Sequence, residues 1–151
     1  MTTALSDRFG DKLSFVEGSI DLLATVKSAN LIEVATALRD EPTFAFDGLM
    51  CLSAVDRPPD ATEVVYNLTS YAHNHRLTVK VIGPRENPVF PTVSDVWPTA
   101  NWFEREATEL FGITFEGHPD PRPLLLDEDW DEGPPMRRGW QGRDFIPMPE
   151  R

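Results

Sequence analysis

Between residues 49 and 82 the apolar positions fall into three runs, LMCLSAV, EVVYNLTSYA and RLTVKVI, divided by polar or proline-bearing breaks. Runs of this length, rich in Val, Leu and Tyr, predict three strands, with RPPD joining the first two. HNH at 73–75 links the second to the third, and so short a link fits only an antiparallel hairpin. Upstream, KLSFVEGSIDLLATV at 12–26 holds two apolar runs about Gly18 and Ser19, which predicts another strand pair joined by a turn. The period then changes. Leu31, Val34, Ala35 and Leu38 mark the inner face of a helix that ends before Pro42, and Asn30 with Glu33 has the spacing of a capping box. GPRENPVFPTVSDVWP at 83–98 predicts a connection ending in a short turn of helix that Ser94 can cap.

The clearest helix is WFEREATELFG at 102–112, closed by Gly112 as a left-handed terminal residue. Phe103, Ala107 and Leu110 stand at i, i+4 and i+7, and Glu106 at i+3 lies inside that apolar stripe. A carboxylate on a buried face is costly unless it is paired. Either the face is not buried within this chain, or a cation meets Glu106: Arg122, His118 or an arginine of a neighbouring subunit. On the same helix Arg105 and Glu109 have the i, i+4 spacing of an ion pair.

After Pro119 neither period lasts. Seven of the 14 prolines lie between Pro119 and Pro149, yet Leu124–Leu126, Trp130, Trp140 and Phe145 are more apolar surface than a disordered acidic tail needs. The expected arrangement is an extended arm whose aromatic anchors fit pockets on another protein; the alternative is an arm folded back on its own sheet. The chain therefore divides into an α+β domain at 1–118, mostly antiparallel sheet with packed helices and including the signature helix 101–111, and a proline-rich docking arm at 119–151.

Composition narrows the function. Apolar residues make up 40% and charged residues 26% of 151, a globular balance that suits one domain. The formal charge is -11, which argues against nucleic-acid binding and against docking on anionic lipid, both of which need clustered Lys and Arg. Arg137, Arg138 and Arg143 are the nearest approach to a basic patch, and acids surround them. Cys51 is the only cysteine, so no disulfide framework, thiolate zinc cage or iron–sulfur cluster can be built from this chain alone. The N-terminus lacks the basic start and apolar run of a secretion signal. No apolar stretch reaches the roughly 18 residues that a membrane span requires. An intracellular, soluble chain is expected, one that a partner can still hold at a membrane.

The usual catalytic signatures are missing. Neither a dinucleotide fingerprint nor a Walker-type GxxxxGK[ST] occurs. His73 and His75 share a strand face at a hairpin tip with no third ligand nearby, a solvated turn sooner than a metal site. His118 can be drawn as an acid–base pair with Glu104 or Glu106, which would make a small free-standing hydrolase. No nucleophile elbow, SxxK or HExxH accompanies it, so no catalytic, cofactor-binding or metal-binding residue is expected here.

At the same residues a family becomes recognisable. Glu104-Arg105-Glu106, then Glu109-Leu110-Phe111-Gly112, Gly117-His118-Pro119, Arg122 and Leu124-Leu125 resemble the signature of the C subunit of NADH-quinone oxidoreductase, a peripheral-arm component of respiratory complex I. DGLMCLSAVD (47–56), VVYNLTSYAHNHRLTVKV (64–81), NPVFPTVSDVWPTANW (87–102) and DEDW (127–130) resemble further blocks, so the likeness spans about residues 45–145. Related subunits belong to energy-converting [NiFe] hydrogenases and to ferredoxin- or F420-dependent complexes. The resemblance implies a cofactor-free structural subunit that docks on a hydrogenase-large-subunit-like chain and on iron–sulfur subunits, at the cytoplasmic face of the inner membrane. Membrane contact would come only through those partners, which would carry FMN and iron–sulfur clusters and pass electrons from NADH to quinone. It also implies interface or structural roles for Glu104, Arg105, Glu106, Glu109, His118 and Arg122, and for Trp130, Arg137, Arg138, Trp140 and Phe145 of the arm.

Overall fold

Strand pairing along the middle of the chain follows the alternation of its apolar residues. In the computed structural model, which describes residues 1–16, 22–143 and 146, β4 (Ala61–Ser70) runs antiparallel both to β3 (Gly48–Arg57) and to β5 (His75–Pro84). Val64, Tyr66 and Leu68 stand directly opposite Val81, Val79 and Leu77, so their side chains share one face and all are buried. β1 (Leu13–Phe15) pairs antiparallel with β2 (Leu23–Val26); the turn expected about Gly18 and Ser19 falls outside the described residues. β2 joins β5 in parallel, giving a five-stranded sheet in the order β1-β2-β5-β4-β3. The α+β expectation of a mostly antiparallel sheet with packed helices is met, with that one parallel pairing added.

The apolar sheet face is covered by α2 (Leu31–Asp40), through Leu31, Val34, Ala35 and Leu38, and by Leu5 and Phe9 of an N-terminal helix α1 (Thr2–Phe9). The predicted capping box of α2 does not form. Asn30 makes no side-chain cap hydrogen bond, and Glu33 turns outward to Lys12. The opposite sheet face is polar, with Thr78 Oγ1 donating to Asn67 Oδ1 at 3.0 Å, as expected where only one face is covered.

Residues 83–118 hold structure that alternation did not predict: β6 (Val89–Pro91) and β7 (Thr114–Glu116) form a parallel two-stranded sheet. Phe90, fully buried in β6, lies over Gly83 of β5, where an added Cβ would come within 2.7 Å of the ring. Between β6 and β7 comes α3 (Ala100–Phe111), lying along the edge strand β3. Gly112 ends it at φ 68°, ψ 34°, and a Cβ there would meet the Pro134 ring at 2.8 Å. The turn at 94–96 is present, with Val96 and Trp97 N–H groups donating to Val93 O, but Ser94 does not cap it. Ser94 N–H donates instead to Thr92 Oγ1 at 3.1 Å.

Candidate interaction site: helix α3, its loop and the arm

The inner face of α3 is Ala100, Glu104 and Ala107, with Phe103 and Phe111 packed beside them. Of the predicted stripe, Phe103 and Ala107 meet the core, but Ala100 and Glu104 complete the inner face in place of Leu110 and Glu106. Glu106 is exposed and forms no ion pair among the described residues, so the first of the two alternatives for it applies. Glu104 is the buried charge of α3.

Its surroundings are specific. The β6–β7 pairing carries residues 92 and 93 beneath the loop that follows β7, with Thr92 N–H donating to Glu116 O at 3.0 Å. Glu104 Oε1 accepts the Val93 N–H at 2.8 Å, and its Oε2 accepts the Thr92 hydroxyl. Thr92 Oγ1 is then left to accept from Ser94 Oγ, 2.9 Å away, since a hydroxyl has one proton to give. His118, its side chain buried, lies 3.8 Å from Glu104 Oε2 through Nε2. That nitrogen donates to Asn101 O at 3.0 Å, while Nδ1 accepts the Asp120 N–H at 3.0 Å. Burial pushes the Glu104 carboxyl above its ordinary range, opposed by the Thr92 and Val93 hydrogen bonds and the nearby His118. Burial, with a smaller contribution from Glu104, also holds the Tyr66 phenol well above its usual value, and its hydroxyl has no hydrogen-bond partner among the described residues.

Arg105 and Glu109 do not pair with each other. Both are turned to the main chain of the arm: Arg105 donates to Arg122 O and Pro123 O, each at 2.8 Å. Glu109 accepts the three successive N–H groups of Leu124, Leu125 and Leu126 at 3.0, 2.8 and 3.1 Å. Arg122 is exposed and makes a two-bond pair with Asp120, holding that carboxyl down at about 2. It does not reach Glu106.

Further along, Arg137 Nε donates to Phe111 O at 2.7 Å and Met136 N–H to Leu110 O at 3.0 Å, filling carbonyl positions that the end of α3 leaves open. Arg138 is held through its backbone: its N–H donates to Asp56 Oδ2 at 2.8 Å, and its carbonyl accepts from Arg85 at 3.1 Å. Arg85 and Asp56 are themselves joined by two bonds of 2.7 and 2.9 Å. That guanidinium, helped by the Arg138 N–H, holds the Asp56 carboxyl below its usual range. Trp130 and Trp140 stack on each other with ring centroids 6.1 Å apart, and their indole N–H groups donate to Gly133 O and Glu132 O. The described arm thus folds back along its own domain, and its two tryptophans anchor each other before any partner. Phe145 lies outside the described residues.

Thr92, Asn101, Asp120, Asp56 and Arg85 were missed by sequence reasoning. Only Asp56 left a signal, since it keeps the two-residue phase of Leu52 and Ala54 and so places a charge on the inner face of β3.

This is an α+β domain whose charged helix is spent on internal joints: a buried carboxylate to a loop, and an Arg and a Glu to a strap of main chain. Residues 24–145 match the family described as "Respiratory-chain NADH dehydrogenase, 30 Kd subunit", and the chain belongs to that family. A relative from Chloroherpeton thalassium, named as the C subunit of NADH-quinone oxidoreductase, is 39% identical over 140 residues, 91% of this chain. The chain spans 58% of that relative's length. The protein of the same name from Methylobacterium sp. strain 4-46 is 40% identical over 95% of this chain and 69% of its own, and that of Cupriavidus metallidurans 37% over 98% and 79%. Among solved structures, the trypsin-resistant fragment (1-134) of Nqo5 superposes with a TM-score of 0.66 at 30% identity, covering 79% of this chain and 97% of the fragment. A chain of the archaeal membrane-bound sulfane sulfur reductase complex shares the fold, with a TM-score of 0.67 at 22% identity over 92% of this chain and 79% of that one. Membership in the family named from the signature is thus shown.

Proposed function

We propose that the chain is a cofactor-free structural subunit of a membrane-attached NADH-quinone oxidoreductase. The observation that carries this is the use of the signature charges: Glu104, Arg105 and Glu109 are all engaged in holding a loop and an arm of the same chain. They set a shape and do not line a reaction site. A hydrolase built on His118 has no support in this geometry, because both ring nitrogens are bonded to backbone and the side chain is buried with that of Glu104. Among the described residues no three His, Cys, Asp or Glu side chains gather as a metal site, and no helix is long and apolar enough to cross a membrane.

The arm, strapped along α3, turns Leu125 and Met136 to solvent and leaves Trp130 partly exposed. These side chains are the docking surface for a hydrogenase-large-subunit-like partner, with iron–sulfur subunits beside it. FMN, iron–sulfur clusters, NADH and quinone belong to those partners, and the subunit sits at the cytoplasmic face of the inner membrane through them. Purification of the tagged chain from its own cells in mild detergent tests this reading. Recovery of flavin, iron and NADH-quinone reductase activity is expected; nickel among the metals would move the chain to a hydrogenase-type complex, and a metal-free chain alone would overturn the reading.

A further inference from the structure

Opposite the face that packs on the core, α3 presents Trp102 at 66% exposure. It does not stand alone. With Met50, Leu49, Pro98, Thr99 and Phe103 it lines one open apolar hollow. Met50 is the bulge residue of β3, skipped between the pairs Leu49↔Leu68 and Cys51↔Asn67, and it stands at 59% exposure. Tyr71 continues the patch at 69% exposure, with its hydroxyl 3.6 Å from Met50 Sδ. A bulge re-aims a side chain that the pleat would otherwise alternate, and here it swings a methionine toward an exposed tryptophan. Contiguous apolar surface built from Trp, Tyr and Met is the composition of an interface core.

Charge decides what covers it. The Tyr71 end carries charge of both signs: Asp47 accepts the Tyr71 N–H at 3.2 Å, and Arg76 lines the adjoining hollow. At the Trp102 end, one helical turn on, Glu106 is exposed and forms no ion pair among the described residues. A second copy would bring Glu106 and another formal charge of -11 against the same surface, and an anionic bilayer would repel it likewise. We infer that the Trp102–Met50–Tyr71 patch is a docking surface, distinct from the arm, for another subunit of the complex that presents an apolar surface with an Arg or Lys facing Glu106. This rests on the chain being a subunit of the proposed complex.

The test uses the assembled complex. A photoreactive benzoylphenylalanine in place of Met50 should cross-link to a different subunit, at a segment holding apolar side chains and a basic residue. Trp102→Ala should weaken binding of the chain to the complex depleted of it by about 30-fold, the size of an interface hot spot, and Glu106→Lys by about tenfold. Both positions are exposed, so thermal melting should match wild type; were Trp102→Ala to misfold, the cross-link and Glu106→Lys would decide. Cross-linking to a second copy or to lipid, or wild-type affinity in both variants, would overturn the inference while the wild-type chain still assembles. Failure of the wild-type chain to bring down iron-bearing subunits would instead remove the proposed membership in the complex.

Discussion

Glu104 has two hydrogen bonds and an imidazole nearby, yet burial still raises its carboxyl. A folded-state value above the unfolded one means that the folded protein binds this proton more tightly. The contribution to stability is therefore fully present below the ordinary carboxyl range, about pH 4, and is lost as pH rises through the raised value. Glu104→Gln keeps an acceptor for the Val93 N–H and offers Thr92 a donor; it should stay within about 1 kcal/mol of wild type and flatten that stretch of the profile of stability against pH. Glu104→Ala should cost about 3 kcal/mol, since it leaves a buried N–H and hydroxyl without their acceptor. Urea unfolding of the three proteins between pH 4 and 7 checks both. Tyr66 gives a simpler case. Its buried hydroxyl has no partner among the described residues, so Tyr66→Phe should be neutral or raise stability by up to about 1 kcal/mol in the same assay.

At the scale of elements, α3 and the arm behave as one unit because the grip is on the main chain. Glu109 binds three amides and Arg105 two carbonyls, a contact that fixes the path of residues 122–126 whatever their side chains. Charge-assisted bonds of this kind are worth roughly 1.5–3 kcal/mol. Glu109→Ala should then speed amide hydrogen exchange at Leu124, Leu125 and Leu126 by about tenfold or more, with the sheet amides of β4 and β5 unchanged. Equal exchange in mutant and wild type would show that other contacts hold the arm. The i, i+4 spacing of Arg105 and Glu109 suggested a surface ion pair, because spacing along a helix reports which side chains are neighbours and not what else passes within reach. Gly112 was legible as a terminal glycine, but its second duty, making room for Pro134, belongs to the tertiary fold.

Across the whole molecule, the arm is fastened to the sheet again at Arg138, by Asp56 and Arg85, one from β3 and one from the chain just after β5. Arg85 holds the Asp56 carboxyl below its usual range, so this joint stabilises above the ordinary value near pH 4 and is lost as pH falls through the lower folded one. Acid below that range should loosen the arm while Glu104 still holds its loop. Asp56→Asn should expose the Arg138–Gly139 bond to trypsin at neutral pH, with cleavage at least severalfold faster than in wild type. The sequence by itself determined the strands β3 to β5, helix α2, the extent of α3 and its glycine stop, since these depend on periodicity and on backbone chemistry within a few residues. It also carried the family signature, through residue types at fixed spacing. Only the tertiary structure decided that Glu104 and not Glu106 is buried, that β6 and β7 pair across α3, that Trp130 meets Trp140, and that Met50, Tyr71 and Trp102 share one surface. Each of these joins residues far apart in the chain, or chooses between neighbouring faces of one helix, and local pattern holds no information about which surface the rest of the fold will bring against it.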